Sequence, residues 1–185
     1  MNKEDLLALD QTITNRLRLS SPHSPAWRTA VWLAHSGDSW FWAIGLALVW
    51  GLSGLTGDDL WRRNAAILLI AVVFQALFVF ALKNRIRRRR PGGEWSGVYR
   101  LIDPHSFPSG HATRAMLLMV LAIALGPAWF AWLVAAWGPF MSISRVLTGV
   151  HYFSDVAGGF VLGLILGLLA LSAFPFLVQW FPFLF

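Results

Sequence analysis

Residues 64–82 read NAAILLIAVVFQALFVFAL, a run without a charged residue in which only Asn64 and Gln75 carry polar side chains. Crossing about 30 Å of hydrocarbon takes roughly 20 apolar residues as a helix, with every backbone polar group paired inside the segment. This stretch therefore predicts a transmembrane helix, and the chain repeats the pattern on both sides of it. Residues 39–57 are uncharged and open with Trp40-Phe41-Trp42. Residues 115–144 are uncharged too, but Gly126-Pro127 interrupts them and marks a helix stop, so the reading is two helices, 109–125 and 128–143. Residues 156–185 cross once more, with the aromatic region around Pro175 and Pro182 at the interface. Upstream, residues 3–19 set Leu6, Leu7, Leu9, Ile13 and Leu17 among charges, the pattern of an amphipathic surface helix. Residues 26–34 are too short to cross, and Trp27, Val31 and Trp32 suit a second interfacial helix.

The fold class expected is thus all-α, a polytopic membrane helix bundle of about five transmembrane helices plus N-terminal interfacial helices. It forms one domain over residues 1–185, with 1–37 as the interfacial segment. Gly159, Gly163 and Gly167 form a doubled small-xxx-small seam that lets a neighbouring helix approach closely.

Composition agrees. Of 185 residues, 57% are hydrophobic and 13% charged, against roughly 45–50% apolar and about 25% charged in soluble domains. An ordinary soluble domain and a disordered chain are both excluded. Cysteine is absent, so there is no disulfide, no thiolate metal site and no cysteine nucleophile. The net charge of +6 would suggest nucleic acid if it were spread over a soluble surface. Instead Lys83, Arg85, Arg87, Arg88, Arg89 and Arg90 are wedged between two apolar runs, which points to a membrane-proximal anionic partner and not to nucleic acid. Residues 1–20 lack an apolar h-region, so no signal peptide is expected.

Three segments put ionisable groups where predicted spans begin or end, and such groups are functional hypotheses by default. They are Lys83 with Arg90-Pro91, then Pro108-Ser109-Gly110-His111, then Ser144-Arg145 followed by His151 and Asp155. Together, over residues 83–155, they resemble the full three-part signature of the type 2 phosphatidic acid phosphatase and vanadium haloperoxidase superfamily. The resemblance implies a metal-independent hydrolase of phosphate monoesters or diphosphates working through a phosphohistidine, inhibited by vanadate, or in the haloperoxidase branch a bound vanadate cofactor.

The residues carry the same chemistry on their own. His151 and Asp155 are four apart, and on one helical turn they would share a face, so Asp155 could fix the tautomer of His151 as nucleophile. A helix-capping aspartate beside an interfacial histidine is the plainer alternative. Pro108-Ser109-Gly110-His111 reads as a helix start whose free amides bind anions. There Ser109 and Gly110 would hold phosphoryl oxygens and His111 would protonate the leaving oxygen. Lys83, Arg90 and Arg145 would neutralise the equatorial oxygens of an in-line transition state. Arg85, Arg87, Arg88 and Arg89 read as solvated or headgroup-facing, Asp103 and Glu94 as surface groups, and His23, His35 and His105 as minor. Arg114, one turn after His111, is within reach of a substrate or a carboxylate. Trp40, Trp42, Trp129, Trp132 and Trp180 read as interface anchors or core.

A lipid phosphatase explains composition, spans and site together, with a lipid phosphate as substrate and membrane lipids as surroundings. Phosphatidic acid, phosphatidylglycerophosphate and polyprenyl phosphates stay equivalent, and the oligomeric state is open. The alternatives are a haloperoxidase or acid phosphatase of the superfamily, whose soluble character this composition disfavours, and a non-catalytic lipid-binding membrane protein, which would be expected to lack His111, His151 or Arg145. Cations are in excess on the side of residues 83–107, which favours a cytoplasm-facing site in the cell membrane. The resemblance also admits a periplasmic one.

Overall fold

The computed structural model describes residues 2–21, 24–92 and 103–185. Among them are seven α-helices and no extended strand: α1 Lys3–Leu17, α2 Pro25–His35, α3 Ser39–Thr56, α4 Asp59–Ile86, α5 Gly110–Leu125, α6 Ala128–Leu147 and α7 Phe153–Trp180, closed by a 3₁₀ turn, Pro182–Leu184. The chain is an integral membrane protein of the all-α class. Helices α3, α4, α6 and α7 are long and apolar enough to cross a bilayer. The fifth span of the sequence reading is the shorter α5, 16 residues, or about 24 Å at 1.5 Å per residue. It lies in the middle of the bundle against α4, α6 and α7, most extensively α7. There Ala112, Leu117, Leu118 and Leu121 are buried. The outer helices instead expose large apolar side chains, among them Leu48, Leu52, Phe74, Leu77 and Leu168, as lipid-facing surfaces do.

Local chemistry sets the helix ends. Gly57, at φ 74°, closes α3 in the left-handed conformation, and the Asp58 side chain caps α4 by accepting from the Trp61 amide. α4 runs well past its uncharged stretch at both ends. Its 28 residues span about 42 Å, so Lys83 is carried beyond the apolar segment. α6 is longer than expected and includes Ser144 and Arg145, while α7 begins at Phe153 rather than 156. The N-termini of α3, α5 and α7 and the C-termini of α4 and α6 therefore share one end of the bundle.

The glycine seam is where α5 meets α7. A Cβ on Gly159 would lie 2.7 Å from the Ser109 carbonyl oxygen, one on Gly163 would run into the Thr113 carbonyl and Met116, and one on Gly167 would meet Val120 at 2.8 Å. At Gly159 and Gly163 the contact is with backbone carbonyls, and at Gly167 with the branched Val120 side chain, so no flexible side-chain end is there to yield. By contrast, a Cβ on Gly51 of α3 meets nothing within 4 Å. Gly163→Ala is expected to destabilise the folded protein by about 1–3 kcal/mol, and Gly51→Ala to leave its thermal midpoint in detergent unchanged or raised. Equal midpoints for the two variants would contradict this packing.

Candidate active site

At the shared end of the bundle lies a cavity of about 280 Å³, lined by Lys83, Arg90, Asp103, Gly110, His111, Arg114, Arg145 and His151, together with Gln75, Ala76, Val79 and Phe80, which lie with Lys83 on α4. Six of the eight residues singled out from the sequence reach it. Asp155 stands directly behind His151. Ser109 does not line the cavity, because its hydroxyl caps α5 by accepting from the Ala112 amide at 3.5 Å.

His151 precedes α7 rather than sitting on it, so the shared helical face read from the four-residue spacing is not how it meets Asp155. Asp155 occupies the third position of α7, and its Oδ2 accepts from the Tyr152 amide at 2.8 Å while lying 3.4 Å from His151 Nδ1. The capping aspartate and the histidine partner are the same residue. The His151 amide is held by the Arg145 carbonyl at 3.2 Å, which ties the loop to the end of α6. On the far side of the ring, Arg90 Nη1 is 3.3 Å from Nε2. Guanidinium only donates, so Nε2 is the unprotonated nitrogen and the proton belongs on Nδ1, toward Asp155. Burial, and then the charges of Arg90, Lys83 and Arg145, hold the His151 pKa well below its usual value.

His111 faces a carboxylate that the sequence reading did not single out. Its Nε2 donates to Asp38 Oδ1 at 3.0 Å, and His35 Nδ1 donates to Asp38 Oδ2 at 2.9 Å. Burial of Asp38 favours the neutral acid. The bonds and charges of His111 and His35 outweigh it and hold the carboxyl well below the usual carboxylate range. Arg114 donates to the Gly37 carbonyl and the Ser39 hydroxyl, pinning the α2–α3 turn so that Asp38 meets His111. Gly37 is itself a close-approach position, since a Cβ there would lie 2.9 Å from His111 Cδ2.

Two expectations need correction. Asp103 is more than a surface group, because its carboxylate, though 32% exposed, pairs with both Lys83 and Arg90, the latter at 2.9 Å. Both cations are nearly inaccessible and need a counter-charge. Nor is Arg88 solvated like Arg85, Arg87 and Arg89, since it reaches Asp155 Oδ1 at 2.6 Å and Asp10 Oδ2 at 2.6 Å. His105 pairs through its backbone with Arg89. Glu94, His23 and Arg100 lie outside the described residues. No pattern along the chain marks Asp10, Asp38 or Arg88, because the pairings that bring them to the site span long stretches of chain: 67 residues for Arg88 and Asp155, 73 for Asp38 and His111, and 78 for Asp10 and Arg88. Among the described residues, no three His, Asp or Glu side chains gather as metal ligands would.

If the ring is as buried and cation-flanked as its surroundings indicate, histidine-selective ¹⁵N NMR of the detergent-solubilised protein, assigned with His151→Asn, should show a neutral His151 imidazole at pH 6.5 that protonates only well below it. A midpoint at or above 6.5 would contradict the buried, cation-flanked setting of the ring.

The family model that describes the PAP2 superfamily matches residues 64–179. Over 142 residues, 75% of this chain and 75% of the relative, the sequence is 34% identical to decaprenylphosphoryl-5-phosphoribose phosphatase of Mycobacterium tuberculosis. In fold it is similar to the transmembrane PAP2-type phosphatidylglycerolphosphate phosphatase of Bacillus subtilis, with a TM-score of 0.74 at 24% identity over 92% of this chain and 87% of that one. LpxE of Aquifex aeolicus gives a TM-score of 0.65 at 20% identity over 90% and 94%. With both the fold and most of the length in common, this chain belongs to the PAP2 superfamily, as one of its membrane phosphatases.

Proposed function

We propose that the protein removes phosphate from a lipid phosphate at the membrane surface, through a phosphohistidine on His151 and without a metal ion. The observation that carries this reading is the lining of the cavity, which combines two histidines and the cations Lys83, Arg90 and Arg145 with the apolar Ala76, Val79 and Phe80 of the membrane-spanning helix α4. A substrate with an anionic head and an apolar tail satisfies both halves at once. The polyprenyl-linked substrate named for the mycobacterial relative makes that class the first to assay, beside phosphatidic acid and phosphatidylglycerophosphate.

In this mechanism Nε2 of His151 attacks phosphorus in line, and Nδ1–H stays on the Asp155 carboxylate, which stabilises the imidazolium that forms. Lys83, Arg90 and Arg145, with the amide of Gly110 at the start of α5, neutralise the equatorial oxygens. The P–O bond to the lipid breaks as His111 protonates the leaving oxygen. Its Nε2–H stays on Asp38, so the proton comes from Nδ1 of the imidazolium form, which the Asp38 carboxylate stabilises, and His111 is left neutral to accept the proton of the attacking water. Water then attacks the phosphohistidine, His111 takes back a proton, and phosphate leaves. Ser109 supports this arrangement by capping α5. The protein is expected to need no cofactor, and vanadate should inhibit by adopting five-coordinate geometry in the same clamp.

His151→Ala should abolish an acid-labile, base-stable phosphoenzyme. His111→Ala should slow its formation about 10²- to 10⁴-fold, more for an alkyl lipid phosphate than for an activated aryl phosphate. Phosphate release should persist in EDTA. A phosphoenzyme in His151→Ala, or activity lost in EDTA and restored by magnesium, would overturn the reading.

The excess of cations at the site's end of the bundle favours a cytoplasm-facing cavity. Single cysteines at Asn84, near the C-terminus of α4, and at Thr56, the C-terminal residue of α3, are exposed positions at opposite ends of the α3–α4 pair and report the side directly. In intact cells an impermeant thiol reagent should label the Thr56 position and not the Asn84 position. The reverse pattern would place the site outside.

A further inference from the structure

The N-terminal helix α1 lies outside the part of the chain matched by the family model, yet it touches the site. Thr14 Oγ1 accepts from the Phe153 amide at 3.0 Å, and Asp10 Oδ1 from the Ser154 amide at 3.0 Å. These are the first two free amides of α7, the helix whose third residue is Asp155. α1 therefore caps α7 from a distance, doing for it what Ser109 does for α5. The second oxygen of Asp10 accepts from Arg88 Nη2 at 2.6 Å and from the Ser154 hydroxyl at 2.5 Å. Arg88 Nη1 donates in turn to Asp155 Oδ1 at 2.6 Å, and its guanidinium lies over the Tyr152 ring, 4.2 Å from the centroid. An unbroken chain thus runs Asp10–Arg88–Asp155–His151. Asp155 is fully buried, Asp10 is 10% exposed and Arg88 21%.

We infer that Asp10 is a positioning residue for the phosphohistidine site: by sharing Arg88 with Asp155 it sets how much negative charge Asp155 presents to His151, and it holds the first turn of α7 in register. The inference rests on His151 being the nucleophile. If Arg88 gave its whole charge to Asp155, the carboxylate would be a poor partner for the imidazolium. Asp10 draws part of that charge away. Removing Asp10 therefore leaves Arg88 acting on Asp155 alone and makes His151 harder to protonate, whereas removing Arg88 frees Asp155 and makes His151 easier to protonate. The other charges that face His151 are Lys83 from α4, Arg90 and Asp103 from the segment that follows it, Arg145 from α6, and His111 and Arg114 across the cavity from α5. All are unchanged in both variants, so the difference isolates the chain through Arg88.

The test is the acid limb of the pH profile of phosphoenzyme formation, measured on the full-length protein in detergent with Asp10→Asn, Arg88→Gln, the double variant and Thr14→Val. Asp10→Asn should slow phosphoenzyme formation about 10- to 100-fold and move the acid limb to lower pH. Arg88→Gln should move it to higher pH, and adding Asp10→Asn to Arg88→Gln should move it no further. Thr14→Val removes a cap but no charge, so it should lower the thermal midpoint and leave the acid limb in place. The inference is overturned if Asp10→Asn and Arg88→Gln shift the limb in the same direction or not at all, or if Thr14→Val reproduces the Asp10→Asn shift. Failure of the underlying mechanism is a separate result, the absence of an acid-labile phosphoenzyme in the wild-type protein.

Discussion

Cations buried at one end of an apolar bundle are the constraint on which the site depends. Lys83, Arg90, Arg114 and Arg145 are all 5% exposed or less, and a charge withdrawn from water is costly unless it is paired and hydrogen-bonded. The fold meets that cost with carboxylates and carbonyls drawn from elsewhere in the chain. Asp103 pairs with Lys83 and Arg90, and the Val150 carbonyl accepts from Arg90 at 2.7 Å. The Gly37 carbonyl and Ser39 serve Arg114. In each case the partner also fixes a segment, so charge compensation and the geometry of the cavity are one property. Asp103 occupies two of the three cations proposed to receive phosphate, which means an incoming phosphoryl group competes with or rearranges that carboxylate.

Each histidine of the cavity has a carboxylate behind it, but the two pairs are built differently. Asp155 belongs to the helix that follows His151, and it is locked by the Tyr152 amide and Arg88. Asp38 belongs to a turn between α2 and α3 and reaches His111 because Arg114, one helical turn beyond it, grips that turn. The arginine on the Nε2 side of His151 leaves that nitrogen unprotonated, as the proposed nucleophile requires, and the Asp38 carboxylate favours the protonated form of His111, as the proposed acid requires. The close α5–α7 seam supports this division, since it carries Ser109 to the Asp155 carbonyl, where the Ser109 amide donates at 3.0 Å. Glycine at 159 and 163 is what allows the starts of the two helices to meet.

Much of this was legible along the chain. The uncharged runs, the Gly-Pro interruption, the glycine seam and the amphipathic N-terminus each report a local partition between hydrocarbon and water, which acts residue by residue and leaves a period in the sequence. The three motifs were legible too, because the elements that bear them end at one side of the membrane once the spans are counted. Helix limits were less so. Charge-free stretches locate the hydrocarbon, not the hydrogen-bonded ends, so α4 and α6 overran their expected bounds and His151 fell outside α7.

From the sequence alone came the membrane bundle, the order of its helices and the residue types gathered for phosphate chemistry, since these follow from composition, spacing and the cost of polar groups in lipid. Tertiary structure alone decided which carboxylate meets which cation. Arg88 looks no different from Arg85, Arg87 or Arg89 in the sequence, and Asp10, Asp38 and Asp103 carry no motif. Their roles arise from helices packed across long stretches of chain, where a pairing energy depends on distance and burial, and neither quantity is written in local spacing.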